Sequence, residues 1–214
     1  MLTKQEEKAR RSLRKEVADQ LRRQAKGTGW KVSQGWLFRE DQSWFVEARG
    51  SLWVQERKTT LALHLKPMSI DPILWSIVQT PDNIRTPLSF RLFGAWTIAT
   101  PPRSENEIDE ADLDGGGIAK SILVAASREL EQAREHLTLE SFVAFIEERR
   151  RKAALRAYLP AIVCAHVLRG DFERALAECV SAREAGEIGG FQIGAQSFVD
   201  LAIDWLRDNR PARH

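Results

Sequence analysis

Cysteine is scarce in this chain, and long uncharged apolar runs are missing from it. With only Cys164 and Cys179 in 214 residues, both inside helical pattern, a disulfide framework is not expected, and reduced, packed thiols are the natural reading. No stretch of about eighteen apolar residues occurs, which excludes a membrane-spanning helix by hydropathy. The opening MLTKQEEKARR has no apolar h-region, so a cytoplasmic location without a membrane partner is expected. Metal-binding spacings of the CxxC or HxxxH kind are absent, so neither a metal nor another cofactor is expected. Cys164 and His166 stand two apart on a helix, about 200° around its axis, and so do not face each other as a thiolate and its base should. No catalytic residue emerges, and the reading leans away from an enzyme.

What is present is an ordinary globular composition, 43% hydrophobic and 29% charged, distributed unevenly. Six of the seven tryptophans lie between Trp30 and Trp96, in strand-like sequence, and the remainder of the chain reads as helix. Net charge is +5 over residues 1–26, +3 over 27–103 and −6 over 104–214, which together give the formal +2. A basic first half could meet an acidic partner or its own second half.

Local patterns predict an α+β protein. Ala9, Leu13, Val17 and Leu21 recur every fourth residue and make Lys4 to Gln24 a helix with a narrow apolar stripe, suited to lie on a sheet. Trp36 and Phe38 alternate with Leu37 and Arg39, and a polar turn at Glu40 to Gln42 leads to Trp44, Val46 and Ala48. Arg49, Gly50 and Ser51 suggest a second turn. Leu61, Leu63 and Leu65 alternate with Thr60, Ala62, His64 and Lys66, a period-two strand closed by Pro67. Asp71 before Pro72 reads as the N-cap of a short helix that carries Trp75 inward. Leu88 to Ile98 reads as a further strand, which makes an antiparallel sheet of about four strands.

The region from 101 to 117 is acidic and glycine-rich and reads as a connector. Glu110 to Gly115 superficially resembles the start of an EF-hand loop. Its first ligand is Glu, however, and Ser121 occupies the twelfth position where a bidentate Glu is needed. Gly115 to Gly117 with Lys120 and Ser121 lacks phosphate-loop spacing. About five helices should follow. Ser197 with Asp200 forms a capping-box analogue for the last, and Trp205 serves as its packing anchor. The expected organisation is 1–100 as helix plus Trp-rich sheet, 101–117 as connector, and 118–208 as a helical domain.

Two resemblances accompany this reading. Cys164 to Leu176, with Gly170 as a left-handed cap, Asp171 as the next N-cap and Ala175 at the close approach, resembles the centre of a tetratricopeptide helix hairpin over residues 157–186. No second copy exists, so that resemblance implies a hairpin without the family's peptide groove. Arg169, Gly170 and Asp171 are also an integrin-type tripeptide, which a helix turn explains. Residues 4–100, with Gly29, Trp30, Trp36, Phe38 and Arg39 as the most characteristic part, are similar in outline to bacterial α+β families of unknown function, some regarded as toxin immunity proteins. That similarity implies a non-enzymatic, protein-binding module of the immunity or antitoxin type, and carries over no functional residue.

By strand parity, the outer sheet face should display Arg39, Glu47, Arg49, His64, Lys66 and Arg91, the candidate binding surface. A protein partner is the expectation. The alternative is nucleic acid, contacted through these cations and the N-terminal basic helix.

Overall fold

The computed structural model describes residues 3–53, 58–109, 114–153 and 158–210. Among these residues it is an α+β fold with eight helices, a five-stranded antiparallel sheet whose strands neighbour one another in chain order, and a small two-stranded ribbon. Contacts divide the chain into two compact units. Unit 1 comprises Met1–Leu65 with Pro102–His136, and unit 2 comprises Lys66–Pro101 with Leu137–His214. The groups therefore interleave along the chain instead of following its Trp-rich and helical halves.

Unit 1 contains α1 (Lys4–Gln24), β1 (Lys31–Ser33), β2 (Trp36–Asp41), β3 (Trp44–Trp53), most of β4 (Lys58–Pro67), β5 (Ser104–Asp109) and α4 (Gly115–Arg134). Thr3 and Glu6 close a capping box at the start of α1, and Val17 and Leu21 are its buried residues. Asp114 caps α4 by accepting the Gly117 amide at 2.7 Å. The three glycines thus belong to the helix's first turn. At Gly115 the reason is steric, because a Cβ there would stand 2.5 Å from the Glu16 carboxyl carbon of α1. Gly50 lies inside β3, not in a turn, and a Cβ on it would meet the Ile122 side chain of α4 at 2.9 Å. These approaches, with the Trp30 indole donating to Ser127 at 3.0 Å, pack α4 against α1 and against the face of β3 that carries Val46, Ala48 and Leu52.

The β2–β3 register corrects the expected parity. Asp41 pairs with Trp44, leaving Gln42 and Ser43 as a two-residue hairpin loop with φ of 48° and 66°. Both angles are left-handed, which identifies a type I′ turn. A turn one residue shorter than expected moves a whole strand to the other face. Arg39 consequently shares a face with Asp41, Trp44 and Val46, whereas Glu47 and Arg49 share the opposite face with Phe38 and Phe45. Two side-chain-bearing residues at positive φ carry a steric cost that Asn-Gly avoids. Replacing Gln42-Ser43 by Asn-Gly is expected to raise unfolding stability by about 0.5–1 kcal/mol, read as a shift in denaturant midpoint without a change in slope.

The fifth strand also differs from expectation. Leu88 to Ile98 is not a strand, and Ser104–Asp109, which reads as part of the connector, pairs with β4 from Lys58↔Asp109 to Leu63↔Ser104. Glu105 and Glu107 are exposed, whereas Ser104, Asn106 and Ile108 are half-buried, a period-two pattern obscured by its acidity. Lys58 meets Glu107 across the pair at 3.2 Å. Glu110 and Asp112 lie outside the described residues, as does the link at 54–57 between β3 and β4.

Unit 2 contains α2 (Ile70–Ile77), a 3-10 turn (Pro81–Arg85), α3 (Phe90–Phe93), α5 (Leu139–Ala153), α6 (Leu159–Leu168), α7 (Phe172–Glu184), the ribbon β6 (Gln192–Ile193) and β7 (Gln196–Ser197), and α8 (Phe198–Asn209). Helix α6 is apolar all round, and its residues from Leu159 to Val167 are buried. Such a helix belongs at the centre, and α2, α5 and α7 pack around it. Gly170, at φ 77°, ends α6, and Asp171 caps α7 through the Arg174 amide at 3.2 Å. Ser197 and Asp200 form a capping box on α8.

Candidate functional site

The first half of unit 2 is organised by one carboxylate. Asp71 is the second residue of α2, and its carboxylate, 0% exposed, turns inward instead of capping the helix. Nζ of Lys66 lies 3.0 Å from both Asp71 oxygens. Arg91 Nη1 donates to Oδ2 at 2.6 Å, and the Ile98 amide donates to Oδ1 at 2.8 Å. The Lys66 ammonium completes its set by donating to the Ile98 and Arg91 carbonyls, at 2.9 and 3.2 Å. Every proton of the lysine has an acceptor, which is the condition under which a buried charge is tolerated.

This cluster explains why Leu88 to Ile98 leaves the strand conformation. Arg91 must turn inward to reach Asp71, and the segment folds into α3, with Gly94 N–H donating to the Phe90 carbonyl at 2.6 Å. Arg91 lies 5.1 Å above the Trp75 ring, and the Trp75 indole N–H donates to the Trp96 carbonyl at 2.8 Å. Trp96 is held at φ 60°, a left-handed conformation that is rare and strained for so bulky a residue. Its ring is half-exposed and packs 4.8 Å from Phe191, which in turn contacts buried Phe198 at 5.3 Å. Phe93, 41% exposed, lies three residues before Trp96. Trp96 and Phe191 thus share a ring contact, and the backbone on either side of Trp96 is held at Arg91 and Ile98 by the Lys66–Asp71–Arg91 cluster.

The six residues expected on one outer face are not brought together there. Arg39 pairs with Asp41 at 3.1 Å and stacks over Trp30, and Asp41 is also held by two 3.0 Å hydrogen bonds from Arg134. Those bonds keep the Asp41 carboxyl below its usual range. Arg49 forms a bidentate pair with buried Glu47, at 2.5 and 3.1 Å, and stacks 4.4 Å from the Trp36 ring. His64 is buried on β4. Lys66 and Arg91 belong to the Asp71 cluster of the other unit. Thus Arg39, Arg49, Lys66 and Arg91 each have an internal carboxylate in place of a phosphate. By sequence Asp71 reads as an N-cap and Trp96 as part of a strand, and neither role holds. The spacing of Lys66 and Asp71 across Pro67 is the only local hint of their pairing.

The chemically reactive groups are sealed. Cys164 and Cys179 are free and buried. Burial, aided by the Asp71 charge, pushes the Cys164 thiol well above its ordinary value, and burial pushes Cys179 up to about 12. His166 is fully buried, and neither ring nitrogen has a hydrogen-bond partner among the described residues. Burial lowers its pKa, so the imidazole is held neutral. Among the described residues no group of three His, Cys, Asp or Glu side chains could hold a metal ion, and no helix is long and apolar enough to cross a membrane.

The class these features define is an α+β fold. Compared with known proteins, the chain matches no family model, no curated protein and no solved structure.

Proposed function

We propose that this protein is a non-enzymatic protein-binding module of the immunity or antitoxin type, and that it grips its partner with Phe93, Trp96 and Phe191. The observation that carries the reading is Trp96. It combines a strained backbone, a half-exposed ring and a buried ionic brace, and strain of about 1–3 kcal/mol persists only where the surroundings enforce it. Large aromatics presented on a rigid support are what anchor protein interfaces, where they lose little conformational entropy on binding. The engagement of Arg39, Arg49, Lys66 and Arg91 by internal carboxylates supports a protein partner over nucleic acid.

Co-expression with a candidate toxin, followed by co-purification, tests the proposal. Phe93→Ala with Trp96→Ala is expected to abolish both rescue of growth and complex formation while leaving the thermal midpoint of the free protein within a few degrees. Retention of the complex in that double variant overturns the proposed surface. Turnover of a substrate, or capture of nucleic acid alone, overturns the functional class.

A further inference from the structure

Beyond that reading, and on different residues, we propose that α1 docks on the phosphate backbone of double-stranded DNA without reading its sequence. Lys4, Lys8, Arg11, Lys15, Arg22 and Lys26 are all exposed, the last of them one residue past the C-cap Ala25. At about 100° per residue they fall within about 60° of one another around the helix axis, on the side turned away from buried Val17 and Leu21. At about 1.5 Å per residue they form a cationic ridge about 33 Å long.

The acids of α1 do not neutralise this ridge. Glu6 is engaged in the capping box with Thr3, and Glu16 lies against Gly115 of α4. Glu7 stands at one border of the ridge and Asp19 at the other. Asp19 pairs with Arg22 at 2.6 Å, the one ion pair within α1 among the described residues. Lys4 with Lys8, Arg11 with Lys15 and Arg22 with Lys26 repeat like charge at four-residue spacing, which works against the helix. These side chains support no core, so the repulsion has no structural purpose, and a row of phosphates converts it into attraction. The sheet arginines differ, because Arg39 and Arg49 are each neutralised by an acidic side chain two residues away.

The make-up of the ridge selects among polyanions. No aromatic or large aliphatic side chain stands among the six cations, so it lacks the apolar anchor of a protein interface, whose core is also poor in lysine. Insertion into an anionic lipid surface needs outward apolar residues, and Val17 and Leu21 are turned into the fold. Four of the six are lysines, which meet phosphate as point charges, and no Asn or Gln stands between them to read base edges. The ridge is as long as about ten base pairs of a stiff duplex, at about 3.4 Å each. B-form DNA offers a major groove about 12 Å wide that admits a helix, whereas the groove of A-form RNA is too narrow.

The test is fluorescence anisotropy of the full chain with a labelled DNA duplex of about 20 base pairs, repeated at several salt concentrations. Binding is expected in the micromolar range at about 50 mM salt, with log K falling against log salt at a slope of about −4 to −5. Two duplexes of unrelated sequence should bind within about twofold of each other. Lys8→Gln with Lys15→Gln should weaken binding at least about tenfold and flatten the slope by about 2. Arg183→Gln with Arg207→Gln, an equal loss of exposed charge in unit 2, should change neither. Gln matches these cations in helix propensity, so unchanged thermal midpoints separate lost binding from lost folding. No binding at about 50 mM salt, an equal effect of the two double variants, or tighter binding to duplex RNA or to phosphatidylserine vesicles each overturns the proposal. DNA binding alongside a protein partner leaves the protein-binding reading intact, and DNA binding without one overturns that reading alone, so the two stand or fall separately.

Discussion

Replacing Asp71 by alanine is expected to destabilise the protein by about 3–5 kcal/mol, the cost of stripping one partner from a buried ion pair. The variant removes the carboxylate that the buried Lys66 ammonium and the Arg91 guanidinium share, and orphans the Ile98 amide. Since domains have only about 5–15 kcal/mol of net stability, this is a large share of the whole. Lys66→Met should cost less, about 1–3 kcal/mol, because the Arg91–Asp71 pair at 2.6 Å survives it. The double variant should be less destabilised than the sum of the two singles, because Lys66 no longer needs the missing carboxylate. Denaturant unfolding of the four proteins measures all of this. A loss below about 1 kcal/mol for Asp71→Ala would mean that the cations reach solvent when the carboxylate is removed.

The second large effect is pH-dependent and comes from His166. In the unfolded chain this imidazole takes up a proton near pH 6.5, whereas burial in α6 depresses its pKa in the fold. Below about pH 6.5 the unfolded state therefore binds more protons, and stability falls as pH falls, by up to about 1.4 kcal/mol per pH unit until the folded form also protonates. Above about pH 7 both forms are neutral and the histidine contributes no slope. Around the ring are Glu147 of α5, 3.8 Å from Nε2, Arg174 and Glu178 of α7, and Asp171 of the turn. Glu147 favours the charged ring, but it already binds Arg174 at 3.2 Å, and burial outweighs it.

His166→Leu should flatten the stability profile between about pH 7 and pH 5, and should stabilise the fold at neutral pH by about 1–2 kcal/mol by removing two unpaired ring nitrogens. Asp41 acts in a different window. Its depressed pKa supports unit 1 at every pH above the ordinary carboxylate value, and that support is lost only as pH falls below about 4. An unchanged slope in His166→Leu would assign the acid sensitivity elsewhere.

What could be read from sequence was whatever neighbours in the chain decide. Ser197 and Asp200 close a capping box because both partners lie within four residues, and the Leu61, Leu63 and Leu65 alternation is buried because β4 is long enough to impose its period. Gly170 and Asp171 separate α6 from α7 for equally local reasons. The failures are all non-local. The Gln42-Ser43 loop differs from the expected one by a single residue, and nothing nearby signals that difference. Asp71 reads as a cap until Arg91, twenty residues away, turns toward it. Ser104–Asp109 reads as linker because its pairing energy resides in β4, whose partners lie between 41 and 51 residues earlier in the chain. The candidate surface inherited these errors. Its six residues were placed by parity, and parity fails wherever a turn or an ion pair is misjudged.

The interleaving of the two units has a consequence for biosynthesis. Unit 1 needs both Met1–Leu65 and Pro102–His136, with thirty-six residues of the other unit translated between them. Its sheet cannot gain the β5 edge, nor its core the α4 helix, until residue 134 has left the ribosome. At ordinary elongation rates of about 5–20 residues per second, the hairpin of β2 and β3 waits several seconds with Trp44, Val46 and Ala48 uncovered by α4. Over that interval the hairpin presents apolar surface that is prone to aggregate, and slower codons between 66 and 101 would prolong its exposure.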